Sequence, residues 1–178
     1  MKVIAFAGSP RINGNSDLLL NECLKAAREK GAEVEKIYLD LKVISPCKAC
    51  DFCRSNGHKC IINDDMQLIY RKLQEADVWI IATPIYWWGP SAQLKLMVDR
   101  WYSFYKAMDC SNKKVALLIT MGDTKMKVAQ PTIDMFDMAF TALGIKQLKP
   151  LVISAHKKGE ILQNKEALKQ AYEIGLSF

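Results

Sequence analysis

Four of the six cysteines in this 178-residue chain fall in one short stretch. Cys47, Cys50 and Cys53 recur every three residues, and Cys60 follows after six intervening residues. Thiolates this close repel one another and are held together only around a cation or a cluster, and the compact run resembles the bacterial-type spacing that grips iron and sulfide. Zinc shares the ligand type, although a zinc ribbon needs two knuckles separated by a longer span. Plain reduced thiols are a third reading. Disulfides call for an oxidising compartment and a small, loop-rich fold, and the chain suggests neither. The first expectation is therefore a metal cluster, 4Fe-4S, ligated jointly by Cys47, Cys50, Cys53 and Cys60. His58 lies inside the run as a possible neighbour or ligand, but a lone loop histidine is usually neither. Cys23 sits on the apolar side of a helical pattern and reads as packing; Cys110 lies outside the run.

A second group of residues suits an anion. Gly8-Ser-Pro-Arg-Ile-Asn-Gly-Asn-Ser16 follows an apolar run and opens a helical one, so its amides and hydroxyls face along the positive end of a helix. It is not a phosphate loop of the Walker type, because Asn15 stands where that loop has its lysine, and it lacks the G-x-G-x-x-G dinucleotide fingerprint. Ser9, Arg11, Asn13, Asn15 and Ser16 offer one charge and four neutral groups, a set suited to a terminal monophosphate. An ordinary turn with Ser16 as the helix cap is the competing account, and it leaves Arg11 unexplained.

Pro84-Ile-Tyr-Trp-Trp-Gly-Pro90 is too aromatic for an exposed turn with no partner. Its rings could instead pack on the following helix or on a second subunit, most plausibly through Trp88. Gly122, with Met121 and Asp123, closes another apolar run, where glycine permits close backbone approach or a simple turn. Lys95, Asp99 and Arg100 share one helical pattern; the Lys95–Asp99 spacing is that of a surface ion pair, and the group reads as a solvated face. His156 follows the last strand and carries no signal of its own.

The elements that must position these residues are legible as continuously apolar strands, the mark of a parallel sheet buried on both faces. They are expected at Val3–Ala7, Val34–Leu39, Val78–Ala82, Val115–Ile119 and Leu151–Ile153. Helical patterns run over Ser16–Lys30, Asp64–Glu75, Ala92–Tyr102, Gln130–Leu143 and Asn164–Gly175, with Gly31 and Gly144 placed as closing residues. This alternation predicts one α/β domain over residues 1–178. Its architecture is a flavodoxin-like doubly wound five-stranded parallel sheet of order 2-1-3-4-5 with helices on both faces, carrying a cysteine-rich insert at about 45–63. In such a sheet a ligand binds beyond the carboxyl ends of the strands, at the switch point between strands one and three.

The net charge of +6 is spread over helices and forms no stripe, which argues against nucleic acid and suits an acidic small molecule or protein. Met1–Ala7 is too short for a signal-peptide core and no run approaches the ~18 apolar residues of a membrane span. A soluble, cytoplasmic protein is expected.

The Gly8–Ser16 loop, together with Thr83-Pro-Ile-Tyr-Trp-Trp-Gly-Pro-Ser-Ala-Gln-Leu-Lys95, resembles the NADPH-dependent FMN reductase branch of the flavodoxin superfamily. The four-cysteine insert followed by Asp64-Asp65-Met66 is similar to that family's iron–sulfur flavoprotein members. The likeness runs from Met1 to about Arg100. It implies FMN held without a covalent bond, its phosphate in the first loop, and its ring beside the Pro84–Gly89 loop. Pro84, Ile85, Tyr86 and Trp87 would then border the flavin, with Gly122 approaching from the other side. It also implies a homodimer or homotetramer. Asp17 departs from the pattern, standing where such loops often carry threonine or serine; a carboxylate would repel a phosphate, so Asp17 is expected to point away or cap the helix.

These expectations combine into an FMN-dependent oxidoreductase moving electrons between NAD(P)H and a one- or two-electron acceptor, with the cluster passing single electrons. No catalytic side chain is required, because the cofactor carries the chemistry. Two rivals stay open: an electron-transfer module serving ferredoxin without nicotinamide, and a quinone or nitro-compound reductase in which the cysteines are incidental.

Overall fold

The structure, a computed structural model, describes residues 1–178. Its strands are β1 (Lys2–Ala7), β2 (Glu33–Tyr38), β3 (Val78–Pro84), β4 (Lys114–Met121), β5 (Lys146–Gln147) and β6 (Leu151–Ser154). Its helices are α1 (Asn15–Glu29), α2 (Phe52–Ser55), α3 (Met66–Glu75), α4 (Ala92–Asp99), α5 (Gln130–Leu143) and α6 (Lys165–Leu176). All strand pairs are parallel, in the order β2-β1-β3-β4-β5, with β6 also on β4. The doubly wound order read from the sequence is the one observed.

Strand residues alternate between two cores, which explains why the strands are apolar throughout. Ile4, Phe6, Trp79, Ile81, Val115 and Leu117 face the core shared with α3, α4 and α5. Val3, Ala5, Val78, Ile80, Ala82 and Ala116 face α1 and α6. The second set is rich in alanine, and small side chains let the helices lie close. At Gly175 the approach is closest: a Cβ there would sit 2.1 Å from the Cys23 carbonyl oxygen and 2.8 Å from the Ala26 Cβ.

Gly31 and Gly144 close α1 and α5 in the left-handed conformation, with φ of 81° and 70°. The amides of Ala32 and Ile145 reach back to the carbonyls of Ala27 and Phe140, each at 3.0 Å, as in Schellman caps.

Two expectations need correction. The single fifth strand is split: β5 pairs with Lys114 and Val115, and β6 with Leu118–Met121. Pro150 lies in the gap and has no N–H to donate to a ladder. The helix expected over Ala92–Tyr102 ends at Asp99 and tightens into a 3₁₀ turn over Arg100–Ser103. Lys95 and Asp99 do form an exposed ion pair, but Arg100 turns inward and is 1% exposed. No helix is long and apolar enough to cross a membrane.

Candidate functional site

The loops after β1, β3, β4 and β6 enclose a cleft of about 290 Å³ at the carboxyl end of the sheet. Its lining includes Ser9, Arg11, Asn15, Ser16, Pro84, Ile85, Tyr86 and Gly122, so eight of the ten expected cofactor-binding residues meet in one place. Asn13 and Trp87 are outside it. Asn13 is exposed and left-handed (φ 58°), and its amide donates to Asp17 Oδ2 at 2.8 Å. Asp17 turns away from the cleft and pairs with Lys36 on β2, in line with the expectation for that carboxylate.

The first loop is built to leave donors free. Gly14 caps α1 without a side-chain hydrogen bond, so the amides of Asn15, Ser16 and Asp17 have no partner within the helix. They carry the positive end of its dipole. A Cβ on Gly14 would fall 2.8 Å from the Arg11 carbonyl, so glycine permits the tight turn. Asn15 has a different task. Its Nδ2 donates to the Ala155 and Lys157 carbonyls at 3.0 and 2.9 Å, and its Oδ1 accepts from the Ile161 amide at 3.2 Å. It fastens the first loop to the chain after β6.

The first and third loops are joined by a substitution of donor. Gly8 N–H donates to the Ala82 carbonyl at 2.8 Å, and regular parallel pairing would have residue 84 donate back to Gly8. Residue 84 is proline. Ser91, fully buried, supplies the missing donor: its Oγ donates to the Gly8 carbonyl at 2.5 Å and accepts from Leu94 N–H at 3.3 Å, capping α4. Thr83 Oγ1 accepts from the Ser91 amide at 3.1 Å.

Tyr86 and Gly89 exchange both backbone hydrogen bonds, at 2.9 and 3.1 Å, around Trp87 and Trp88. Both tryptophans have positive φ, 51° and 62°, the conformation of a two-residue type I′ turn that glycine or asparagine normally fills. Bulky residues there are strained. Trp87 is 90% exposed and stacks edge-on against Trp88. Tyr86 borders the cleft, whereas Trp87 lines a shallow neighbouring depression with Ile85, Met121, Gly122 and Val128.

Met121, expected beside Gly122, also lines the cleft, and Thr120, Ala155, His156 and Lys158, which were not foreseen, complete it. The rule that ligands bind beyond the strand ends points to the loops after β4 and β6 as well, and that signal could have found them. His156 faces Gly122, whose Cβ, if present, would lie 2.7 Å from the ring Nδ1. The amides of His156 and Lys157 both donate to Glu160, at 2.8 and 2.7 Å. Those bonds, Lys157 first, hold the Glu160 carboxyl below the usual carboxylate range.

The four clustered cysteines line a separate cavity of about 30 Å³ with Ile61, Ile62, Arg100 and Tyr102. Cys47 and Cys50 are exposed, Cys53 is buried and Cys60 half-buried. No three ligand-type side chains converge on one point as a single metal ion requires. Left-handed residues on both sides of Cys50, Ala49 (φ 49°) and Asp51 (φ 52°), curl the segment. Burial pushes the Cys53 thiol up, and the nearby Cys60 adds to this. His58 does not line the cavity; its Nδ1 meets the Ser103 carbonyl at 3.1 Å. Cys23 is core, its thiol pushed up to about 12 by burial.

Over residues 1–159 the chain matches the sequence model of the NADPH-dependent FMN reductase family. It is 48% identical over 100 residues to an iron–sulfur flavoprotein of Methanocaldococcus jannaschii, a match covering 56% of this chain and 51% of that protein. The chain thus spans about half the length of that relative. A Bacillus subtilis protein named as an NAD(P)H-dependent FMN-containing oxidoreductase is 28% identical over 181 residues, 98% of this chain and 96% of that one. The fold superposes on the Trp repressor binding protein from Bacillus subtilis with a TM-score of 0.74 and 26% identity, covering 98% and 99% of the two chains. A doubly wound sheet, an uncapped helix opening onto a cleft at its switch point, and a family match through residue 159 lead to one conclusion: this chain belongs to the NADPH-dependent FMN reductase family of oxidoreductases.

Proposed function

We propose that this chain binds FMN in the cleft and moves electrons between NAD(P)H and a one- or two-electron acceptor, with a 4Fe-4S cluster held by Cys47, Cys50, Cys53 and Cys60. The observation that carries the FMN reading is the free amino end of α1 opening on the cleft beside Ser9, Arg11 and Ser16. A phosphate monoester there meets three unpartnered amides, two hydroxyls and one guanidinium. Pro84, Ile85, Tyr86 and Gly122 border the ring, and Trp87 stands at the outer lip. Asn13 and Asn15 shape the loop around the phosphate. Bound FMN supplies hydride acceptance and the ability to release electrons singly; a cluster supplies single-electron storage. The chain's own part is to bind, orient and keep water off the ring.

Support for the cluster comes from the presence of all four cysteines in the lining of one cavity and from the name of the 48%-identical relative. The cysteine cavity and the cleft share no lining residue. A homodimer or homotetramer, closing over the exposed Trp87–Trp88 turn, would bring centres from different chains together.

Titration of the flavin-free protein with FMN and with FAD tests the first part. FMN binds and FAD does not compete. Arg11→Ala weakens FMN roughly tenfold, about 1.5 kcal/mol, the low end for a charge-assisted hydrogen bond because Arg11 is exposed. Equal affinity in parent and variant removes Arg11 from the site. Steady-state oxidation of NADH and NADPH, set beside reduction by ferredoxin, separates a nicotinamide enzyme from an electron-transfer module.

A further inference from the structure

Arg100 stands outside the flavin cleft and is buried at the wall of the cysteine cavity, 1% exposed. Its Nη1 donates to Asp64 Oδ2 at 2.8 Å and to the Ser45 carbonyl at 2.9 Å. Its Nη2 lies 3.3 Å from Asp64 Oδ1 and 3.3 Å from the sulfur of Cys60. Nε is buried with no partner at all.

This arrangement exceeds what a structural ion pair needs. Asp64 alone would neutralise Arg100, and a neutral thiol is a weak acceptor for a guanidinium. A thiolate accepts a charge-assisted bond about twice as strong as a neutral one. An orphaned N–H on a buried cation is costly, so the protein atoms alone leave this guanidinium incompletely satisfied.

The same residues tie the insert down at both ends. Asp64 accepts the Ser45 amide at 2.9 Å, just before the first cysteine. Gln67 Nε2 donates to the carbonyls of Cys60 and Ile62 at 3.0 and 2.7 Å, just after the fourth sulfur begins its turn. Tyr70 anchors the Arg100 carbonyl at 3.0 Å. Guanidinium and sulfur are thus held in register from four directions.

We infer that Arg100 is a positioning residue for the cysteine centre: it orients the Cys60 sulfur and raises the electron affinity of the cluster through a buried N–H···S bond from its guanidinium. The inference rests on the reading that the four cysteines hold a cluster. Hydrogen bonds to ligand sulfurs are among the factors that set cluster potentials. Reduction adds negative charge to the centre, so a positive donor at one ligand favours the reduced state.

The test uses full-length protein purified without oxygen, with iron, sulfide and FMN measured before spectroelectrochemical titration. Arg100→Lys keeps the charge but loses the fork that reaches Asp64 and Cys60 together. Its cluster is expected to lose roughly tenfold in electron affinity, a fall of ~59 mV for a one-electron couple, while the flavin potential stays put. The double variant Arg100→Met, Asp64→Leu removes both charges at no net change and suits a buried pair, whose joint replacement by apolar groups is often tolerated. It isolates the lost hydrogen bond, and its cluster potential falls too. A parent free of iron and sulfide overturns the cluster reading and this inference with it. A parent that carries the cluster, with either variant keeping it at an unshifted potential, overturns the role of Arg100 alone. Should Arg100→Lys shed its iron, the double variant decides: a lower potential upholds the role, and an equal potential or a second loss of cluster with FMN retained overturns the tuning role.

Discussion

Replacing Ser91 by alanine tests how the two cofactor-side loops are held together. The side chain is fully buried and serves two groups at once, the Gly8 carbonyl at 2.5 Å and the Leu94 amide at 3.3 Å. Loss of the helix cap costs about 1 kcal/mol. The Gly8 carbonyl, which Pro84 cannot serve, becomes a buried acceptor without a donor, costing about 1–3 kcal/mol more. The expected loss is therefore about 2–4 kcal/mol, a large part of the roughly 5–15 kcal/mol that holds a domain together. Urea unfolding of flavin-free Ser91→Ala should show a lower midpoint at an unchanged slope, and thermal unfolding a fall of about 6–12 °C for a 3 kcal/mol loss. FMN affinity should drop as well, since Gly8 begins the loop proposed to hold the phosphate. A loss below about 1 kcal/mol, the cap alone, would refute the argument that Ser91 stands in for the missing proline N–H.

Gly175→Ala should destabilise the α1–α6 contact: the added Cβ meets the Cys23 backbone at 2.1 Å, so the ~3 kcal/mol upper range of overpacking outweighs the ~1 kcal/mol gain in helix propensity. An unchanged denaturation midpoint would contradict the packing described. Replacing any one of Cys47, Cys50, Cys53 or Cys60 by alanine should sharply lower iron content while FMN still binds; anaerobically purified parent containing FMN without iron or sulfide would sink the idea. Asp64 gives a pH signature. Burial pushes its carboxyl up, but hydrogen bonds from Arg100 and the Ser45 amide, with the Arg100 charge, bring it below the ordinary range. A folded pKa below the unfolded value of ~3.9 means that its stabilisation is complete above about pH 4 and lost as pH falls through the folded pKa. Asp64→Asn should accordingly be less stable than the parent at pH 7, with the gap narrowing at pH 3; parallel urea midpoints at both pH values would exclude the pairing.

Much of the fold was legible because its signals are local. Val78–Pro84 and Lys114–Met121 are apolar along nearly their whole length, and only strands covered on both faces need that. Gly31 and Gly144 mark helix ends because their left-handed backbone strains other residues. The Gly8–Ser16 loop and the cysteine run stood out for the same reason: each is a pattern of neighbours along the chain. The misreadings also have local causes. Arg100 follows Lys95 and Asp99 in a helical pattern and so looked solvated, until the tightening of the helix after Asp99 turned it inward. The partners of the Asn15 side chain, two carbonyls and an amide contributed by the far end of the chain, could not be read from its place in the loop.

The order of strands and helices, the polar loop at the head of α1 and the four sulfurs of one segment are all written along the chain. Each of these follows from backbone preference or apolar periodicity acting over a few residues. Folding in three dimensions sets which distant groups meet: Ser91 on Gly8 across 83 positions, Asn15 on Ala155 across 140, and Arg100 on Cys60 across 40. Those partners meet because two cores press the helices onto a shared sheet and leave particular donors facing particular acceptors. Such an outcome depends on packing in three dimensions, which no spacing along the chain records.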